Sequence, residues 1–568
     1  MDMKRLIAVA RGDAIADTVF LNARIVNTFT GEIEEGNVAV AEGRVAGVGD
    51  YSEGAQVVDL RGKYLVPGLV DGHVHIESSM LHVGQYARAV VPHGTLAVVT
   101  DLHEVTNVCG LRGMRYIMRC GRQVPLDLFF MAPSCVPATD LETSGARLEA
   151  ADIRRALRLP GVIGLGEVMN FPAVIGAQDG VLDKLDAAAS RVRDGHAPLV
   201  RGRALNAYLC PIIGSDHETT EYEEGLEKLR RGMHLMVREG STEKNLEALL
   251  PIVTDGNYHR CMLVVDDRNA RDILHDGDVD AVVRKAIRLG LDPVRAVQMA
   301  SLNPARYFGL EGYGAIGPGY HANLLVVGDL RDFRVEAVYY RGRKVAEEGH
   351  ALFTPPLRAP RWTTTTMRVA PLSVERLALK AGDSSFPAIE IVPGQIVTRR
   401  VQVTPLRKGG LVMADPERDL LKLAVIERHQ ATGNVGLGLV KGLGLKRGAI
   451  GTSVAHDSHN IVVAGASDED MLAVAQEIRA NQGGLACAVG GRVVASLALP
   501  VAGLLSLEPL ETVATKLEEL GRAAADLGCT HPSPFSILSF LALPVIPELK
   551  LTDMGLVDVV AGKLLTIT

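Results

Sequence analysis

The chain has 568 residues, 47% hydrophobic and 22% charged, with a formal net charge of -7. Such a composition belongs to a core-forming globular protein of two to four domains. The acidic balance and the lack of a long basic run argue against nucleic acid as the main partner. Seven scattered cysteines with no Cys-x-x-Cys point away from a disulfide framework or a thiolate zinc site.

The N-terminus, MDMKRLIAVARGDAIADTVF, lacks the long apolar core of a signal peptide. Residues 18–65 alternate apolar and polar residues in short runs broken by Gly and Asn, a pattern of strands. The same pattern returns at 313–353. Residues 1–65 plus 310–360 are therefore expected to form one small β-domain from both flanks.

Residues 66–309 alternate apolar strand runs with helical patterns. Candidate strands are 66–76, 96–103, 126–134, 161–168, the segment before His196, 210–217, 232–241 and 261–267. Helices are expected between them, as at 221–231 and 242–250. Eight strands with crossover helices predict an α/β fold, a (β/α)8 barrel. An open doubly wound sheet is the competitor, but it leaves the polar residues at so many strand ends unexplained.

Pro-rich residues 354–361 read as a linker, and 370–568 as a separate C-terminal α/β domain. The Gly-rich run at 434–448 lacks the spacing of a dinucleotide fingerprint and reads as turns and close packing. The apolar stretch at 535–549 is interrupted by Pro544 and Pro547 and is too short to span a bilayer. A soluble, cytoplasmic protein without membrane partners is expected.

The chemistry gathers at the predicted strand ends. The first strand closes on His73 and His75, which share one side at i and i+2. Two converging imidazoles are half of a metal site; a hydrogen-bonded pair of core histidines is the plainer alternative. The second strand offers Asp101 and His103, the fourth Glu167, the fifth His196, the sixth Asp216-His217-Glu218, and the eighth Asp266-Asp267. Adjacent strand residues face opposite sides, so either Asp266 or Asp267 points inward.

The motifs VDGHVHIESS, TDLHE, GLGEVMNFP, DGHAP, GSDHE, MVREGS and VVDDR resemble the amidohydrolase superfamily, and within it the bacterial-type adenine deaminase family. HDSHN at 456–460 resembles a motif of that family's C-terminal domain. The resemblance implies two divalent ions. His73, His75 and Asp266 would hold one, His196 and His217 the other, with Glu167 bridging. The donor set suits Zn, Mn or Fe(II), and the resemblance favours Mn or Fe(II). It implies hydrolytic deamination of adenine, a small purine base, to hypoxanthine and ammonia by a metal-bridged hydroxide attacking C6.

In that reading Asp266 accepts the hydroxide proton, Glu218 donates to or orients the ring, and His103 with Asp101 bonds the hydroxide or the intermediate. Asn170, Arg238, Glu239 and Ser241 are candidates for reading the purine edge. A homo-oligomer, with a dimer favoured, is also expected. His456 and His459 are expected to be structural, and His82 and His93 ordinary. The competing functions are hydrolysis of a cyclic amide or N-acyl bond, and a non-catalytic assembly protein on a degenerate fold. Glu167 at the position of a carboxylated lysine argues mildly against the former. The completeness of the ligand set argues against the latter.

Overall fold

A computed structural model describes residues 2–380, 385–393 and 395–565. The two flanks of the chain meet in one nine-stranded sheet. Strand Tyr64–Pro67 joins them, parallel to Ala16–Asn27 on one side and antiparallel to Leu324–Val327 on the other. Phe20, Ile25, Val38, Leu65, Leu324 and Tyr339 form its core. The alternation read in the sequence is the alternation of this half-buried sheet. An N-terminal helix, Met3–Ala10, capped by Asp2, precedes it and was not anticipated.

Eight short parallel strands follow: β1 (Leu69–Val74), β2 (Thr95–Asp101), β3 (Asp127–Ala132), β4 (Val162–Val168), β5 (Val192–Gly195), β6 (Ser215–Asp216), β7 (His234–Arg238) and β8 (Cys261–Val264). β1 to β5 pair in chain order as one sheet, and β6 to β8 as a second. The outer strands approach at both seams. Val74 pairs with Asp266 in a parallel bridge, and the Gly214 N–H donates to the Arg193 carbonyl at 2.9 Å. The result is a strongly curled parallel sheet with helices outside it. β1 and β2 are buried along their whole length, as expected of parallel strands covered on both faces.

Three expected elements differ. The run 66–76 divides between two sheets at Gly68, whose N–H donates to the Asn323 carbonyl at 2.8 Å. A Cβ there would lie 2.9 Å from Leu96 Cδ1 and 3.1 Å from Leu96 Cβ, so the crossing is close-packed and any side chain would have to displace Leu96. The run 210–217 yields only Ser215–Asp216 as strand. The helix expected at 242–250 shrinks to Leu246–Leu249, because the chain before it turns back through a Glu239–Lys244 bridge.

Residues 386–498 hold an eight-stranded mixed sheet with helices Asp468–Ala480 and Leu510–Asp526 packed on it. Much of the Gly-rich run is strand Val435–Lys441, not turn. Its glycines serve close packing: a Cβ on Gly436 would lie 1.8 Å from the Thr552 carbonyl oxygen. Among the described residues no helix is long and apolar enough to cross a membrane.

Candidate metal centre

Side chains from the C-terminal ends of the parallel strands converge on one buried point. Glu167, at the end of β4, occupies its middle. Its Oε1 lies 3.1 Å from His75 Nε2 and 3.4 Å from His103 Nδ1. Its Oε2 lies 2.7 Å from His196 Nδ1 and 3.2 Å from His217 Nε2. Burial opposes the charge on Glu167, but hydrogen bonds with His196, His217 and His75 outweigh it and hold the carboxyl well below its usual range.

On the far side, Asp266 Oδ1 lies 3.5 Å from both His73 Nε2 and His75 Nε2. The Asp266 backbone is left-handed, with φ 62°, a conformation that costs a non-glycine residue about 1 kcal/mol. Its N–H donates to the His73 carbonyl at 3.0 Å, and this bond at the seam turns the side chain inward. Asp267 therefore faces elsewhere. It accepts from the Ser78 hydroxyl and lies 4.0 Å from His456 Nε2. Of the two aspartates, it is Asp266 whose carboxylate lies beside His73 and His75.

Supporting contacts orient the imidazoles. His75 Nδ1 donates to the Asp101 carbonyl at 3.0 Å, which leaves Nε2 facing the centre. Asp101 Oδ2 accepts from the Glu167 N–H at 3.0 Å and lies 3.8 Å from His103 Nδ1. Arg238 clamps two acids at once: Nη1 donates to Asp266 Oδ2 at 2.7 Å, and Nη2 to Glu218 Oε2 at 2.9 Å. Glu218 Oε1 sits 3.7 Å from both His196 Nδ1 and His217 Nε2.

The donor set fits divalent cations. Ligand atoms of His73, His75 and Asp266 lie within 4.8 Å of one another, as do those of His73, Glu167 and His217, and those of His196, His217 and Glu218. Among the described residues, His73 Nε2 and His103 Nδ1 are buried without a hydrogen-bond partner. Buried nitrogens are almost always partnered; His73 Nε2 faces Asp266 Oδ1 across the space a cation would fill, and His103 Nδ1 faces Glu167 Oε1 beside it.

Not every candidate joins the cluster. Glu239 is a correction: its Oε1 pairs with Lys285 at 2.6 Å and its Oε2 accepts from the Leu246 N–H, so it points into the helical layer. Arg238 reads protein carboxylates instead of a free edge. Asn170 caps the helix Phe171–Ile175 through its side-chain oxygen. Ser241 Oγ accepts from Asn269 N and Nδ2 but lines an adjacent pocket. That pocket, of about 110 Å³, lies between the strand ends and the C-terminal domain, walled by Ser78, Ser241, Thr242, Asp267, His456 and Ser536. His82 and His93 are ordinary, paired with the Tyr116 hydroxyl and Asp280.

Two buried groups near the centre were missed, Glu104 and Asp457. Glu104 directly follows His103, and Asp457 lies in the HDSHN segment. The available signal was that segment, an unusually polar turn in an apolar domain.

Residues 64–345 match the amidohydrolase family, and residues 395–563 match the adenine deaminase C-terminal domain. A protein of Dehalococcoides mccartyi strain CBDB1 named adenine deaminase is 55% identical over 564 residues, covering 99% of each chain. One of Desulfatibacillum aliphaticivorans with the same name is 50% identical over 557 residues, covering 98% of each. One of Kosmotoga olearia, again so named, is 42% identical over 571 residues, covering 100% of this chain and 99% of its own.

Proposed function

We propose the following chemistry from the premise that this chain belongs to the adenine deaminase family of the amidohydrolases. It is a hydrolase that converts adenine to hypoxanthine and ammonia. The single observation that carries the site reading is Glu167, with each carboxylate oxygen facing two imidazoles. We read the curled sheet over 66–309 as a (β/α)8 barrel, with its site at the C-terminal strand ends where that fold carries chemistry. Residues 1–65 plus 310–360 form the β-domain, and 370–568 the C-terminal domain.

His73, His75 and Asp266 would hold one divalent ion, and His196 and His217 the second, with Glu167 between them. Mn or Fe(II) is favoured and Zn also suits the donors. When bound, such ions act as Lewis acids and bring the pKa of a coordinated water down to about 7.

The chain's own residues manage position and protons. Arg238 pins Asp266 through Oδ2 and leaves Oδ1 facing the centre, where it accepts the proton of the attacking water. Burial opposes the charge on Glu218, but Arg238, His196 and His217 outweigh it and keep its carboxyl below the usual range. Glu218 therefore starts ionised: it takes the second proton of that water and passes it to the purine ring, while the proton held by Asp266 leaves with the C6 amino group as ammonia. His103, 3.4 Å from Glu167 Oε1, hydrogen-bonds the oxygen at which charge develops. The purine base occupies the neighbouring pocket beside Asp267 and Ser241.

The test is ammonia release from adenine by protein stripped with chelator and reconstituted separately with Mn, Fe(II) and Zn. Turnover restored by metal supports the reading. Silence with all three, in protein holding two ions per chain, would overturn the substrate assignment.

A further inference from the structure

The segment His456-Asp457-Ser458-His459 belongs to the C-terminal domain, yet it ends beside the end of β2. Glu104, fully buried, follows His103 there. Glu104 Oε1 accepts from His456 Nδ1 at 2.6 Å, and its Oε2 from His459 Nε2. The His459 tautomer is set locally, because Nδ1 accepts from the Ala455 N–H at 3.0 Å and leaves the proton on Nε2. Both oxygens of a barrel carboxylate are thus held by histidines more than 350 positions away in sequence.

The same segment reaches His103 directly. His103 Nε2 lies 3.3 Å from Glu104 Oε1 and 3.7 Å from Asp457 Oδ1, while its Nδ1 faces Glu167. Asp457 is 2% exposed, and its Oδ2 has no hydrogen-bond partner among the described residues. A buried acid whose only ion-pair contact among the described residues is an imidazole at 3.7 Å is a poor choice for a purely structural contact. Apolar side chains fill an interface at lower cost. His456 also stacks on Phe540, with ring centroids 4.7 Å apart, and walls the pocket.

We propose that the His456–His459 segment is part of the catalytic centre, with Glu104 and Asp457 acting as positioning residues that hold the His103 imidazole against Glu167. The proposal rests on the reading that His103 serves the reaction. These two carboxylates supply the polar contacts on the Nε2 side of a ring that packs edge-on against His75, with centroids 4.7 Å apart; without them nothing on that side, among the described residues, sets which nitrogen faces the centre.

The test uses the full-length, metal-loaded enzyme and the variants Asp457→Asn, His103→Ala and their double. The expected result for Asp457→Asn is a 10- to 100-fold fall in kcat, the range typical of lost outer contacts at metal sites (about 10- to 100-fold). KM, metal content and Tm should stay near those of the parent. The double variant should be no slower than His103→Ala alone, because one residue acts through the other. Losses that multiply, or an unchanged kcat, would overturn the proposal, as would a loss that tracks Tm. A second readout does not depend on substrate. In the Zn-loaded, histidine-15N-labelled enzyme, Asp457→Asn should move the His103 ring resonances. If they move while no form releases ammonia from adenine, the substrate assignment fails and the positioning stands. If they stay fixed in an active enzyme, the positioning fails.

Discussion

Two buried charged clusters lie side by side at the strand ends, and they are built on opposite plans. In one, Lys228 Nζ donates to the Ala197 carbonyl, Asp216 Oδ2, Thr219 Oγ1 and Glu224 Oε1 at 2.6 to 3.1 Å. Asp216 Oδ1 and Glu224 Oε1 also accept from backbone N–H groups. Burial opposes the charge on Lys228, but Asp216 and Glu224 outweigh it and keep its amine above the usual range. The other cluster starts one residue later, at His217. It gathers several imidazoles around Glu167 and Asp266, yet His73 Nε2 and His103 Nδ1 lack partners among the described residues. The first cluster satisfies its cation, with Glu224 Oε2 the one of its oxygens left without a partner among the described residues, and so stabilises the fold, whereas a cluster that leaves buried imidazole nitrogens open is arranged for something else to enter.

The comparison can be broken most severely at Glu167. Glu167→Ala is expected to abolish turnover and to lose tightly held metal. Two ions per chain in that variant, by elemental analysis, would remove its bridging role. Lys228→Met tests the opposite cluster. It leaves Asp216 and Glu224 buried without their cation, at a cost of about 3–5 kcal/mol. The expected reading is a large drop in Tm with metal content per folded chain retained. Loss of metal at unchanged Tm would mean the two clusters are not separable.

His103→Ala should keep the metal and lose turnover by about 100-fold or more, at the lower edge of what a positioned proton-transfer group contributes. Near-normal activity would reduce His103 to scaffolding. The smallest effect is expected of Glu239→Gln, which weakens a partly exposed pair with Lys285. The change should be under about 1 kcal/mol, with kcat within error of the parent. A large fall in kcat there would return Glu239 to the site.

Much of this was legible from pattern. A buried parallel strand is an apolar run whose last residues emerge at the functional end. His73, His75, Glu167, His196 and His217 could thus be gathered by position in their runs before any contact was known. The flanking sheet was legible from the return of a two-residue period after 313. What escaped were groups whose role depends on a neighbour distant in sequence. Glu104 and Asp457 look like ordinary acids until His103, His456 and His459 are placed around them. Glu239 looked functional from its place beside Arg238, but consecutive residues of a strand point to opposite sides.

The sequence alone determined which donor atoms exist and that they alternate onto one end of a parallel sheet, because strand period and ligand chemistry are local properties. Tertiary structure alone decided that Asp266 and not Asp267 turns inward, since the deciding bond is between its N–H and the His73 carbonyl at the seam. It also decided that the C-terminal domain reaches the centre, because hydrogen bonds across 352 and 355 positions leave no periodic trace in a chain. They exist only once two separately folded sheets pack against each other.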